Sequence, residues 1–165
     1  MATQERVIAI AIDGSDNSRY AFQFYVDNMR AANDKVYLIH AVEVNSIIHS
    51  AQFMGTTYAF NKDALGKMFD EEREKIKHRL EDFGKLLKSA GIDGTVKSVN
   101  AENPGSGICK AAEEVHASII VVGTRGLGKL RRTLMGSVSD YILHHAHVPV
   151  LVCKNEADEH HSKKK

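Results

Sequence analysis

Between residues 118 and 139 the chain reads SIIVVGTRGLGKLRRTLMGSVS, and these are residue types that hold phosphate. An apolar β-branched run, Ile119 to Val122, stops at Gly123. A loop with Arg125, Gly126, Lys129, Arg131 and Arg132 follows, and a helical pattern starts at Gly136-Ser137. Strand, cationic loop and helix N-terminus in that order form an anion site. Glycines let backbone N–H groups come close, the cations supply charge, and the first-turn amides and dipole of the helix add to both.

Two familiar glycine motifs nearly fit. Gly123 to Lys129 has the Walker spacing GxxxxGK, but the hydroxyl residue that should hold magnesium is Leu130, and the helix begins too late. Gly126-Leu127-Gly128 starts a dinucleotide fingerprint, but Arg131 stands where the third glycine belongs. A third pattern fits throughout: G-x2-G-x9-G-S, over Gly123, Gly126, Gly136 and Ser137.

That spacing resembles the ATP-binding loop of the universal stress protein family. Val7 to Ser15 (VIAIAIDGS) resembles the family's first strand and acidic turn, and His147 to Val152 (HVPVLV) its last strand. Asn103-Pro104-Gly105, a helix and then Ile119 to Gly123 match in order. The likeness covers roughly residues 5–154. It implies a five-stranded parallel sheet of order 3-2-1-4-5, ATP in the crevice between strands 1 and 4, and a homodimer formed through the C-terminal strand, 148–153. The match does not choose ATP over AMP or ADP, and Mg2+ is the natural companion ion.

Residue by residue, each position has two readings. Asp13 ends a buried strand, where its carboxylate either accepts from ribose hydroxyls or an adenine amine, or caps the first turn. Val42 matches the family position whose backbone meets the adenine edge, and Ala11 and Ile12 are expected to line that pocket. Val122 leads into the glycine loop. Gly123, Gly126 and Gly136 either admit phosphate or serve as positive-φ turns. Ser137 starts a capping-box pattern with Asp140 and is also placed to touch phosphate. The Val138 amide and Ser139 share that turn and are expected at the terminal phosphate, with Arg125 beside them. Asp13 and Asp140 are the carboxylates nearest the loop, which leaves a slow ATPase as one alternative. A protein-interaction module with a vestigial pocket is another, with segment 45–63 and the last strand as its surfaces. His144, His145 and His147 lack the accompanying ligand spacing of a metal centre.

The elements that must position these residues alternate. Val7–Ile12, Val36–Val44, Thr95–Asn100, Ile119–Val122 and Val148–Val152 read as strands. A helix capped by Asp16 or Ser18 carries Tyr20, Ala21, Phe24, Tyr25 and Met29 at helical spacing. A second runs from Leu65 to Leu87 and stops at Gly91; the others cover 105–115 and 137–145. Alternation of this kind predicts an α/β three-layer sandwich, Rossmann-like or flavodoxin-like. Ligands in such sheets sit beyond the carboxyl ends of the strands.

Composition narrows the function. The 165 residues suit one domain at 1–154, with a polar tail at 155–165. Lys plus Arg number 22 and Asp plus Glu 21, so the net charge of +1 argues against a nucleic-acid binder. No run reaches the ~18 apolar residues that cross a membrane. Cys109 and Cys153 read as reduced thiols, which points to the cytoplasm.

Overall fold

The computed structural model describes residues 5–43, 62–124 and 136–155. Its elements are β1 (Arg6–Ala11), α1 (Asp16–Asn28), β2 (Asp34–Glu43), α2 (Lys62–Ser89), β3 (Thr95–Ala101), α3 (Pro104–Glu114), β4 (Ile119–Gly123), α4 (Ser137–His145) and β5 (Val150–Cys153). The five strands pair in parallel in the order β3-β2-β1-β4-β5. This is the α/β flavodoxin-like arrangement read from the sequence. Most of segment 45–63 and the tail beyond 155 lie outside the described residues. Among the described residues no helix is long and apolar enough to cross a membrane.

β1 shows why the sheet is covered on both faces. Ile8, Ile10 and Ile12 point to one side and pack with Phe22 and Tyr25 of α1 and with Phe83 and Leu87 of α2. Ala9 and Ala11 point to the other, where Ile108, Ala111 and Ala112 of α3 and Ile142 of α4 meet them. A run apolar at every position is what a doubly buried parallel strand requires. The alanine face is the tighter one. A Cβ on Gly107 would stand 2.7 Å from Ala101 Cβ, and one on Gly105 2.8 Å from the Tyr141 side chain. These two glycines let α3 settle onto β3 and α4.

Several boundaries differ from the sequence reading, three of them instructively. The α1 cap is Ser15, not Asp16 or Ser18: its Oγ accepts from Ser18 N–H at 3.3 Å. The Ser18 hydroxyl donates back to the Ser15 carbonyl at 2.9 Å. β2 starts two residues early, at Asp34, because its backbone already pairs with β1 at Arg6. β5 starts at Val150, although the Pro149 carbonyl already accepts from Ile120 N–H at 2.9 Å. Gly91 ends α2 as expected. Its φ is +62°, and Ile92 N–H reaches back to Leu87 O at 3.0 Å, closing a C-terminal cap of the Schellman type.

The amino end of the sheet is clamped by one carboxylate. The Asp34 side chain, 2% exposed, takes two bonds from Arg6, Nε to Oδ1 at 2.8 Å and Nη2 to Oδ2 at 2.7 Å. Oδ2 also accepts from the Tyr25 hydroxyl at 2.8 Å and the Ala31 amide at 2.9 Å. β1, β2 and the end of α1 therefore meet at a single side chain. Burial alone would raise its pKa, but the bonds from Arg6, Ala31 and Tyr25 outweigh burial and lower it.

Asp34→Asn keeps the shape and removes the charge. It is expected to cost roughly 2–3 kcal/mol of stability at neutral pH in urea unfolding. Because the folded-state pKa is depressed, this contribution is complete above the ordinary value of 3.8 and fades as pH falls through the folded value. The gap between wild type and variant should narrow over that acid range.

Candidate functional site

β1 and β4 are neighbours, yet the chain leaves them in opposite directions. After β1 it turns to α1 on the isoleucine face, and after β4 it returns through α4 on the alanine face. The divergence opens a cleft of about 340 Å³ beyond the strand ends. It is the switch-point crevice that open α/β sheets use for ligands.

The cleft gathers most of the residues that the sequence nominated. Ala11, Ile12 and Asp13 come from the end of β1 and its turn, Val42 from β2, Val122 and Gly123 from β4, and Gly136, Val138 and Ser139 from the start of α4. Ser137 is exposed and is not part of the lining. Arg125 and Gly126 lie outside the described residues.

The glycines act differently from one another. Neither Gly123 nor Gly136 has a positive φ; Gly14, at +86°, supplies the left-handed turn after β1. Gly123 is required by close approach. A Cβ there would lie 2.3 Å from the Asn17 carbonyl oxygen and 2.6 Å from its carbon. Only a residue without a side chain lets the end of β4 rest on the first turn of α1. Gly136, with φ −61° and ψ 146°, is the N-cap of α4. The expected cap, Ser137, is instead the first helical residue. Gly136 brings no side-chain cap bond, so the first-turn amides of α4 keep their donor capacity for an anion.

Several polar groups are already engaged. Asp13 Oδ1 accepts from Ser15 N–H at 2.9 Å, as a turn-closing aspartate does. The Ser139 hydroxyl, 2% exposed, donates to the Gly136 carbonyl at 2.9 Å, so its hydrogen is spent inside the helix turn. Asp140 N–H bonds Gly136 O at 2.9 Å, and the Asp140 side chain is not part of the cleft.

The structure adds residues that sequence reasoning missed. His40 sits at the cleft floor, 3% exposed, with Nδ1 2.9 Å from the Ile12 carbonyl and its ring edge-on to Phe83 at 5.5 Å. Burial lowers its pKa and the Arg79 charge lowers it further, against the raising effect of the Ile12 bond and Asp13. A neutral ring donating from Nδ1 follows. The signal was a histidine inside the otherwise apolar run of β2. Glu72, Ile76 and Arg79 share one face of α2 and form a wall, and Glu43 closes the end of β2. The carboxylates at the cleft are therefore Asp13, Glu43 and Glu72, in place of the Asp13 and Asp140 expected from the sequence. Asn17 also lines the cleft, and its Oδ1 is buried without a partner.

The histidines near the end of α4 are occupied locally. His144 Nδ1 lies 2.8 Å from Asp140 O, and His145 Nδ1 lies 2.9 Å from Tyr141 O with its ring stacked on Tyr141. Among the described residues no group of three metal-binding side chains assembles. Cys109 and Cys153 are free, buried in the two different core layers, and burial raises both thiol pKa values.

The Gly123 contact generates a direct expectation. Gly123→Ala should destabilise the fold by roughly 2–3 kcal/mol in urea unfolding, the upper part of the overpacking range, because the added methyl meets backbone. A variant as stable as wild type would show that α1 can withdraw freely.

Comparison with known proteins agrees with this architecture. The Arabidopsis thaliana universal stress protein family protein solved with AMP bound shares the fold at a TM-score of 0.64, with 23% identity over 93% of this chain and 94% of that one. The structure of hypothetical protein MJ0577 aligns at a TM-score of 0.72, with 22% identity over 93% of this chain and 98% of that one. In sequence, Universal stress protein MJ0531 of Methanocaldococcus jannaschii is 30% identical over 156 residues, 92% of this chain and 84% of that protein. The model of the Universal stress protein family matches residues 5–154. With that span matched, and with Gly123 and Gly136 at a switch-point cleft, the chain belongs to the universal stress protein family.

Proposed function

We propose that this protein is a nucleotide-binding stress-response module that holds an adenine nucleotide, ATP in the first place, in the cleft between β1 and β4. The observation that carries this reading is the α4 N-terminus. Its cap is a glycine without a side-chain bond, and it opens onto the same cleft as Gly123 and Asp13. The Val138 and Ser139 amides would hold phosphate there, with Arg125 adding charge from the loop. Ile12, Val42 and Ile76 offer apolar walls to the base, with the Val42 main chain reading its edge. The volume, about 340 Å³, lies within the ~300–1,000 Å³ typical of small-molecule sites. The AMP found in the Arabidopsis relative supports adenine as the base class. Mg2+ is the expected companion of a bound triphosphate.

The protein works in this reading as a binder in the cytoplasm rather than as a catalyst. Asp13 Oδ1 closes its own turn by accepting from Ser15, and the buried His40 ring is tied through Nδ1 to the Ile12 carbonyl, so both side chains hold the cleft in shape.

Gentle purification followed by thermal melts tests the reading. Millimolar ATP is expected to add roughly 2.7 kcal/mol at a hundredfold excess over Kd, which corresponds to about 5–10 °C for a chain of this size. Gly136→Val is compatible with the backbone at that cap. It should leave the ligand-free melt within a few degrees and abolish the ATP shift, because the branched side chain fills the anion approach. A melt that ignores ATP, ADP and AMP alike would overturn the proposal.

We also infer a homodimer paired through β5. The carbonyls of Pro149 and Cys153 face β4, accepting from Ile120 and Thr124 at 2.9 Å each. Val150 and Val152, alternating with them, direct their amides to the other edge. Pro149 faces β4, so its missing N–H takes no donor from the outer edge. Sedimentation should give a dimer for wild type and a monomer for Val152→Pro. A wild-type monomer at tens of micromolar would remove the dimer reading.

A further inference from the structure

Asn17 has a side-chain oxygen with no bonding partner. Its Oδ1 is buried and unpaired, the one such side-chain atom found among the described residues. A buried acceptor without a donor is costly, and native proteins rarely keep one. The surrounding groups are committed. Ser15 N–H goes to Asp13, Ser18 N–H goes to Ser15 Oγ, and the Ser18 hydroxyl goes to the Ser15 carbonyl.

The backbone at Asn17 is also held. Its carbonyl lies under Gly123, where even a Cβ would come within 2.3 Å. What can respond is the side chain. Asn17 belongs to the cleft wall beside Asp13, Ser15 and Gly123. Rotation about its side-chain bonds would turn the oxygen toward the cleft that Asn17 lines.

Building on the nucleotide reading, we propose that Asn17 is a ligand-contacting residue of the cleft, whose Oδ1 accepts a hydrogen bond from an O–H donor of the bound species. The donor is a ribose hydroxyl or a water held by a divalent cation. An ionised phosphate oxygen bears no hydrogen to give and is a poor partner for an acceptor. The unpaired oxygen of the ligand-free protein is thus the partner of a group that arrives with the nucleotide. The assignment makes the site's stability and affinity oppose one another at a single side chain.

Calorimetric titration of the full chain with ATP and Mg2+ tests this, using wild type, Asn17→Leu and Asn17→Asp, beside ligand-free melts. Leucine removes the acceptor at similar size, and aspartate keeps it. Asn17→Leu should bind about tenfold more weakly, as for one lost hydrogen bond, while Asn17→Asp stays within about threefold of wild type. Without nucleotide, Asn17→Leu should melt at the wild-type temperature or roughly 2–4 °C above it, since the unpaired oxygen is gone. A purely structural role predicts the reverse, a lower melt with unchanged affinity.

The source of the donor separates in two further titrations. If it is ribose, the penalty of Asn17→Leu disappears with a 2′- or 3′-deoxy analogue. If it is cation-bound water, the penalty disappears in EDTA. The proposal is overturned if Asn17→Leu binds like wild type, if Asn17→Asp loses as much as Asn17→Leu, or if the penalty survives all these changes. Wild type that binds no adenine nucleotide would instead remove the nucleotide reading itself, and this assignment with it.

Discussion

The contact between Gly123 and the first turn of α1 governs the functional end of this molecule. β4 must end directly against the Asn17 carbonyl, because a side chain at Gly123 has nowhere to go. That approach brings the turn after β1 and the end of β4 into one cleft wall. Asp13, Ser15 and Asn17 thereby face the start of α4, although more than a hundred residues separate the two segments. The glycine is a packing requirement first, and the cleft follows from the packing.

The rest of the fold divides its duties between the ends of the sheet. At the amino end, Asp34 gathers Arg6, Tyr25 and Ala31 into a closed set of bonds. At the carboxyl end the α4 amides lack a side-chain cap, and an asparagine oxygen lacks a donor. Between the ends, isoleucines on one face of β1 and alanines on the other set the depth of the two helical layers. A rigid end and layered core allow the other end to keep unsatisfied polar groups. Such groups cost stability locally and are useful only where a ligand can complete them.

His40 illustrates how this end is assembled. Its ring is buried against Phe83 of α2 while Nδ1 meets the Ile12 carbonyl of the turn after β1. Three segments are tied by one neutral side chain, at the floor of the cleft. α2 contributes more than cover, because its Glu72, Ile76 and Arg79 face form the outer wall. The cleft therefore carries both an acidic and a cationic group on α2.

The layered α/β class, the parallel sheet and part of the cleft lining were legible in the chain alone. Those rest on local signals: continuous apolar runs at Val7–Ile12 and Ile119–Val122, helical stripes, and the spacing of Gly123, Gly126, Gly136 and Ser137. It misplaced the caps at Ser15 and Gly136, because several hydroxyl residues stand within one turn and only the backbone path chooses among them. It assigned Gly123 and Gly136 a turn or phosphate role without seeing the Asn17 backbone beneath Gly123. His40, Asn17 and the Glu72–Arg79 wall were invisible for one physical reason. Each acquires its meaning from partners 28 or more residues away, as His40 does from Ile12, or from the lack of any partner. Periodicity and spacing report what a residue's neighbours in the chain require. Only the tertiary structure decides which polar atoms find a partner and which are left for a ligand.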